Sequence, residues 1–254
     1  MKEKPVSRSD ALLELSHELG REGRGWAILG EGNTSTRIDA DTMLVKASGS
    51  NLGKLLKEDL VQCRMLPLVS FLDRHSASDQ EVDSALYASR VDQNGKKPSV
   101  ETLFHAYLLS LPGIDFVGHT HAPAINQILC SPWGKEFARR RIFPDEVVCC
   151  GSESLFILYT DPGLKLAQAI RTNTVTYYKR KRIFPRVILL QNHGIITIGG
   201  TAQAVLAAMM MAEKAATIWI GAAALGGPTF MTKAQVDRIA SRQDEEVRRR
   251  AMKL

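Results

Sequence analysis

Residues 186–199, RVILLQNHGIITIG, read as an apolar strand, a tight turn and a second apolar strand. Apolar extended segments like these need a cover, and the rest of the chain supplies it by alternating helical and extended patterns. SDALLELSHELGRE (9–22) has helical spacing with Ser9 or Asp10 available as a cap. GWAILGEGNTSTRID (25–39) and TMLVKASGS (42–50) read as two strands around a polar turn. Helices are predicted near 79–89, over 99–111 with Pro98 suiting its first turn, and over 124–130 starting at Pro123. IDFVGHTHA (114–122) reads as a strand, and EVVCCGSESLFIL (146–158) is extended in part. DPGLKLAQAIR (161–171) is a helix with Asp161 as cap and Pro162 at its first position, and residues 201–225 form one long late helix. With neither a domain-splitting linker nor an internal repeat, this predicts one α/β domain whose sheet is covered by helices.

The 254 residues, 44% hydrophobic and 24% charged, suit a globular protein of one or at most two domains. The opening MKEKPVSRSD is polar and unlike a signal sequence. The long apolar stretch Ala202–Leu225 is mostly alanine and is broken by Glu213 and Lys214, so it reads as a buried helix and not a membrane span. Cys63, Cys130, Cys149 and Cys150 form no CxxC, and the vicinal pair is poorly placed for a disulfide; reduced thiols and a cytoplasmic location are expected. The net charge of +6 gathers at 139–141, 179–182 and 248–250, as solvated faces and helix ends that can help steer an anion. No basic motif is interleaved with aromatics, so neither nucleic acid nor membrane is expected as a partner.

Two histidines stand in GHTHAP (118–123). On a strand, residues i and i+2 share a face, so His119 and His121 aim two imidazoles at one point. They suit two ligands of one metal, or a hydrogen-bonded or surface pair. His193 closes an apolar strand next to Gly194, either as a third ligand or as a core histidine bonded to backbone. Three nitrogens at strand ends suit an open catalytic zinc site better than a thiolate-rich structural one. Glu101 opens the helix after KKPS, where it is available for proton chemistry or simply complements the helix dipole. His105, four residues on, either orients Glu101 or packs within the helix. GEGNTS (30–35) and KASGS (46–50) are glycine-containing turns of the kind that offer N–H donors to a phosphate, and the helix start at KKPS offers more.

Together GEGNTSTR, VKASGS, KPSVETLFHAYLL, IDFVGHTHAPA and LLQNHGIITIG resemble, in order and spacing, the class II aldolase/adducin family, which includes fuculose-1-phosphate and rhamnulose-1-phosphate aldolases and ribulose-5-phosphate 4-epimerase. The resemblance runs over residues 8–225, within a single domain spanning 1–254 and ending in a helical tail at 230–254. It implies a three-layer α/β/α sandwich with a mainly antiparallel or mixed sheet, usually assembled as a homotetramer. By position, His119, His121 and His193 would bind one zinc or another divalent ion per subunit, and Glu101 would be the acid/base. Gly32, Asn33, Ser48, Gly49 and Ser99 would hold the phosphate of a small sugar-phosphate substrate. The implied reaction is retro-aldol cleavage of a ketose phosphate to dihydroxyacetone phosphate and an aldehyde. The same parts serve a 4-epimerase or a decarboxylase/dehydratase, and the scaffold also carries non-catalytic adducin-like modules. Two departures stand out: Val100 replaces the second serine of a PSSE pattern, and no tyrosine follows Tyr178.

Overall fold

The structure, a computed structural model, describes residues 6–245 and 247. The chain opens with α1 (Arg8–Leu19), β1 (Asn33–Arg37) and β2 (Thr42–Lys46), followed by β3 (Leu60–Arg64), α2 (Met65–Phe71), α3 (Asp79–Ser89) and α4 (Thr102–Leu109). It continues through β4 (Phe116–Thr120), α5 (Pro123–Leu129), α6 (Gly134–Arg139), α7 (Pro144–Cys150), β5 (Leu155–Ile157) and α8 (Leu164–Lys181). It closes with β6 (Val187–Leu190), β7 (Gly194–Gly199), α9 (Ala202–Ala223) and α10 (Lys233–Ser241).

Among the described residues, seven strands form one sheet in the order β3-β2-β1-β4-β7-β6-β5. Neighbours are antiparallel except β5 and β6, which are parallel, so the sheet is mixed. Alternation along the strands divides the core between its two faces. Ile188 and Leu190 of β6 join Leu103 and Phe104 of α4 and Ile170 of α8 on one face. Val187 and Leu189 join Leu12 of α1, Ile125 of α5 and Met209 of α9 on the other. Helices on both faces make the three-layer sandwich, as expected. By length and composition α9 could cross a membrane, but Val205, Ala208, Met209, Ala212, Ala216 and Trp219 bury one side of it in that second cluster.

Several local expectations are corrected. The cap of α1 is Ser7, which accepts from the Asp10 N–H. The first strand covers only 33–37, because the chain turns sharply ahead of it. Leu29 and Gly32 have φ of 52° and 69°, and a Cβ at Gly32 would lie 2.9 Å from the His119 carbonyl oxygen. Pro98 lies in an extended bridge to Ala47 and does not open α4; Glu101 is the N-cap residue. In 146–158 a helix runs to Cys150 before the short strand, and both cysteines of the pair are buried and form no disulfide. Gly163, not Asp161, is the N-cap of α8, which extends on through Lys181. Within the expected tail at 230–254 the described residues include α10, and residues 246 and 248–254, with the last basic cluster, lie outside the described residues.

Candidate metal centre

Strand β4 is buried along its whole length, and the register pairs His119 with Asn33 of β1 and with Ile196 of β7. His121 follows one residue after the strand ends, and His193 lies in the turn between β6 and β7 and not on a strand. The two chain segments thus bring the three histidines together at the end of the central strands. Their rings stand 5.0–5.2 Å apart, and one ligand nitrogen from each falls within 4.8 Å of the others. His119 Nε2 lies 3.2 Å from His121 Nε2. Glu101, delivered by the start of α4, places Oε1 at 3.2 Å from His119 Nε2 and 3.5 Å from His193 Nε2.

The surrounding groups fix how these rings are used. His119 Nδ1 is 3.0 Å from the Ile195 carbonyl, which can only accept, so in the neutral ring the proton sits on Nδ1. Its Nε2 lone pair then faces a carboxylate and a second imidazole. Such a set of acceptors repels itself unless positive charge lies at its centre, which is the condition a divalent cation satisfies. The titration directions express the same need. Burial pushes His119 down, but Glu101 beside it reverses the balance and raises it above its ordinary value. Burial, with His119 and His193 adding to it, pushes His121 down to about 4. The donor set fits a divalent ion held by three imidazoles with Glu101 next to it.

Gly194 shows how tightly the histidines are packed. A Cβ there would lie 2.5 Å from the Thr120 carbonyl oxygen, 2.9 Å from His121 Cδ2 and 3.1 Å from His119 Cε1. Gly194→Ala is therefore expected to cost about 1–3 kcal/mol of stability through overpacking, and to weaken divalent-ion binding as well. Thermal unfolding and chelator competition on this variant check both effects.

The proposed anion turns gather beside this cluster. Ser48 N–H donates to the Lys97 carbonyl at 2.9 Å, and Gly30 approaches Gly49 closely enough that a Cβ would touch its Cα at 3.5 Å. Ser99 Oγ accepts from the Glu101 N–H at 3.3 Å. Gly32 and Asn33 lead straight into β1 beside His119. Asn33 is fully buried, yet neither atom of its side-chain amide has a hydrogen-bond partner. Ser48 and Gly49 are exposed, and Ser99 is half-buried. Val100, between Ser99 and Glu101 in the chain, lines a cavity of about 370 Å³ with Asp161, Gly163 and Lys165.

Three further residues belong to the neighbourhood and were not singled out from sequence. Lys46 is 1% exposed and donates to the Gly30 and Ser50 carbonyls at 3.0 and 2.6 Å, tying the two glycine turns together. Burial lowers its pKa against the opposing charges of Glu101 and Asp59. Glu31 holds Oε1 at 3.6 Å from His121 Nδ1. Ser35 hydrogen-bonds the Nδ1 of buried His105 at 2.6 Å, and burial depresses that imidazole to about 3, so it is neutral and packed. A strand-terminal lysine before Ser-Gly and a carboxylate inside GEGN were the signals available in sequence.

The profile of the Class II Aldolase and Adducin N-terminal domain family matches residues 10–220. The chain belongs to this family. Among class II aldolase folds, a solved domain from Thermoplasma acidophilum, described as an N-terminal class II aldolase domain, superposes with a TM-score of 0.70 at 26% identity, covering 87% of this chain and 97% of that one. An L-fuculose 1-phosphate aldolase superposes with a TM-score of 0.68 at 17% identity, covering 91% and 93%, and shows the shared fold. In sequence, the chain is 26% identical over 182 residues to a Bacillus subtilis (strain 168) protein described as the uncharacterized oxidoreductase YuxG, a match to 68% of this chain but only 24% of that protein's length. It is 27% identical over 193 residues to the 3-oxo-tetronate 4-phosphate decarboxylase of Haemophilus influenzae, covering 74% and 77%. It is 33% identical over 120 residues to a methylthioribulose-1-phosphate dehydratase of Pseudomonas syringae pv. syringae, covering 46% and 48%.

Proposed function

We propose that the chain is a zinc-dependent lyase that cleaves a carbon–carbon bond in a ketose phosphate, releasing dihydroxyacetone phosphate and an aldehyde. The observation that carries the reading is the placement of Glu101 Oε1 within 3.2–3.5 Å of two imidazoles of a converged three-histidine cluster. The ion, when bound, stabilises negative charge on the substrate oxygen next to the bond that breaks. Glu101 takes the proton from the hydroxyl whose carbon leaves as aldehyde, and returns a proton to the carbon that keeps the electron pair. His119, His121 and His193 hold their Nε2 atoms inward, while the Ile195 carbonyl and the Glu31 carboxylate face the opposite nitrogens of His119 and His121. Gly32, Asn33, Ser48, Gly49 and Ser99 receive the phosphate. The reading includes a cytoplasmic homotetramer.

The name of the Haemophilus influenzae relative favours a second reading, decarboxylation of a 3-oxo acid phosphate. It breaks a carbon–carbon bond at the same place and leaves the same kind of enolate, with carbon dioxide as the departing fragment. A panel of ketose 1-phosphates and 3-oxo acid phosphates, assayed for aldehyde and carbon dioxide release on metal-loaded protein, separates the two. Turnover of neither class by loaded protein overturns the lyase reading.

Asn33 tests the anion. A buried amide without partners costs about 1–3 kcal/mol in the free protein, so a ligand group that satisfies it binds favourably. Asn33→Ala is expected to raise KM for a phosphorylated substrate by about tenfold or more, to leave metal content unchanged, and not to lower the melting temperature. An unchanged KM removes Asn33 from the phosphate site.

A further inference from the structure

Helix α5 touches the main chain at two of the three histidines. It begins one residue after Ala122, the neighbour of His121. Its Asn126 Nδ2 donates to the His193 carbonyl at 3.1 Å, and its Leu129 carbonyl accepts from the Asn192 N–H at 3.3 Å. His119 is held separately, in the register of β4 with β1 and β7. A shift of α5 would therefore move His121 and His193 together relative to His119.

What fixes α5 does not come from α5 itself. A helix of seven residues is marginal without support. Its N-cap residue is Ala122, whose side chain cannot accept a hydrogen bond, so the first N–H groups need an acceptor from elsewhere. Glu213, midway along α9, supplies it: Oε1 accepts from Ala124 N–H and Oε2 from Ile125 N–H, both at 3.3 Å. The Trp26 side chain lies near the same carboxylate and favours its charged form. The Trp26 carbonyl in turn accepts the His121 N–H at 2.9 Å. One carboxylate thus fixes the start of α5, next to the residue whose carbonyl holds the His121 backbone.

We propose that Glu213 is a positioning residue for the metal centre, capping α5 from α9 and thereby setting where His121 and His193 stand relative to His119. The inference rests on reading the three histidines as a divalent-ion site. A carboxylate suits the task because it accepts two N–H groups at once and complements the positive end of the helix. An amide at the same place has one oxygen to offer, and alanine has none.

The test measures zinc affinity by chelator competition and the visible spectrum of the cobalt(II)-loaded protein, in wild type, Glu213→Ala, Glu213→Gln and Asn126→Ala. A control, Leu86→Ala, removes a buried side chain of α3 on the other face of the sheet from α5 and reports what lost stability alone does to the site. Glu213→Ala and Asn126→Ala are expected to bind zinc about 10–100-fold more weakly and to shift the cobalt spectrum. Glu213→Gln, which keeps one acceptor oxygen, is expected to bind more tightly than Glu213→Ala but more weakly than wild type, with wild-type affinity counting against the inference. Leu86→Ala is expected to lose melting temperature with unchanged affinity. If Glu213→Ala does not fold, Asn126→Ala and Glu213→Gln decide. Affinities within twofold of wild type in Glu213→Ala and Asn126→Ala, or an equal loss in Leu86→Ala, overturn the inference while leaving the metal site standing. A wild-type protein that binds no divalent ion overturns the metal reading, and this inference with it.

Discussion

Glu101→Gln is expected to lower turnover by about 10²–10⁴-fold while leaving the fold and metal content as they are. The carboxyl is well placed to move a proton, with its side chain 13% exposed and Oε1 at 3.2 Å from His119 Nε2. Burial by itself would raise its pKa, but the charge and hydrogen bond of His119, with a further bond from His193, outweigh burial and hold it well below the usual carboxylate range. A bound cation acts in the same direction. Glu101 is therefore ionised at neutral pH and ready to accept a proton. Glutamine keeps the size and one acceptor oxygen but cannot take that proton. The start of α4 should persist in the variant, because the Glu101 side chain makes no capping bond to α4 although it occupies the N-cap position. Turnover and metal content measured on one preparation decide the point. Near-normal turnover with metal bound would reduce Glu101 to a helix-start residue.

The site was more legible in the sequence than the sheet that carries it. HTH and NHG are short, and each histidine follows an apolar strand, so the spacing alone aims three imidazoles at strand ends. The chain path around Glu101 was less clear, because Pro98 looks like a helix opener and instead pairs with Ala47 across the neighbouring turn. β1 is harder still: NTSTR has no apolar residue, yet residues 33–36 are fully buried. Thr34, Ser35 and Thr36 survive there because specific partners take them up. Thr34 meets Ser16 at 2.7 Å and Ser35 meets His105 at 2.6 Å, pairings between residues distant in sequence that no local pattern records. The apolar WAIL ahead of it looked more strand-like, but Leu29 at positive φ and the following glycines force a turn. Lys46 and Glu213 were hidden for a related reason. Each acts on backbone groups of other segments, and periodicity says nothing about those.

Removing the metal with a chelator is expected to abolish turnover, to lower the melting temperature and to change the sign of the pH dependence of stability. Zinc at about 100 times its dissociation constant adds about 2.7 kcal/mol; at about 2–4 °C per kcal/mol for a chain of this size, that is a rise of about 5–11 °C. In the stripped protein His119, beside Glu101, is the imidazole that favours holding a second proton. His119 is raised above its ordinary value of 6.5 by Glu101, so its contribution is complete below that value and is lost as pH rises through its folded-state pKa. Stripped protein should therefore become less stable as pH rises from the imidazole range upward. Loaded protein should show the reverse as pH falls, because protons compete with the ion for three nitrogens. Melting curves from pH 5 to 9 with and without zinc check this, with readdition of zinc restoring turnover. Identical pH profiles for the two forms would mean that the three imidazoles do not share an ion.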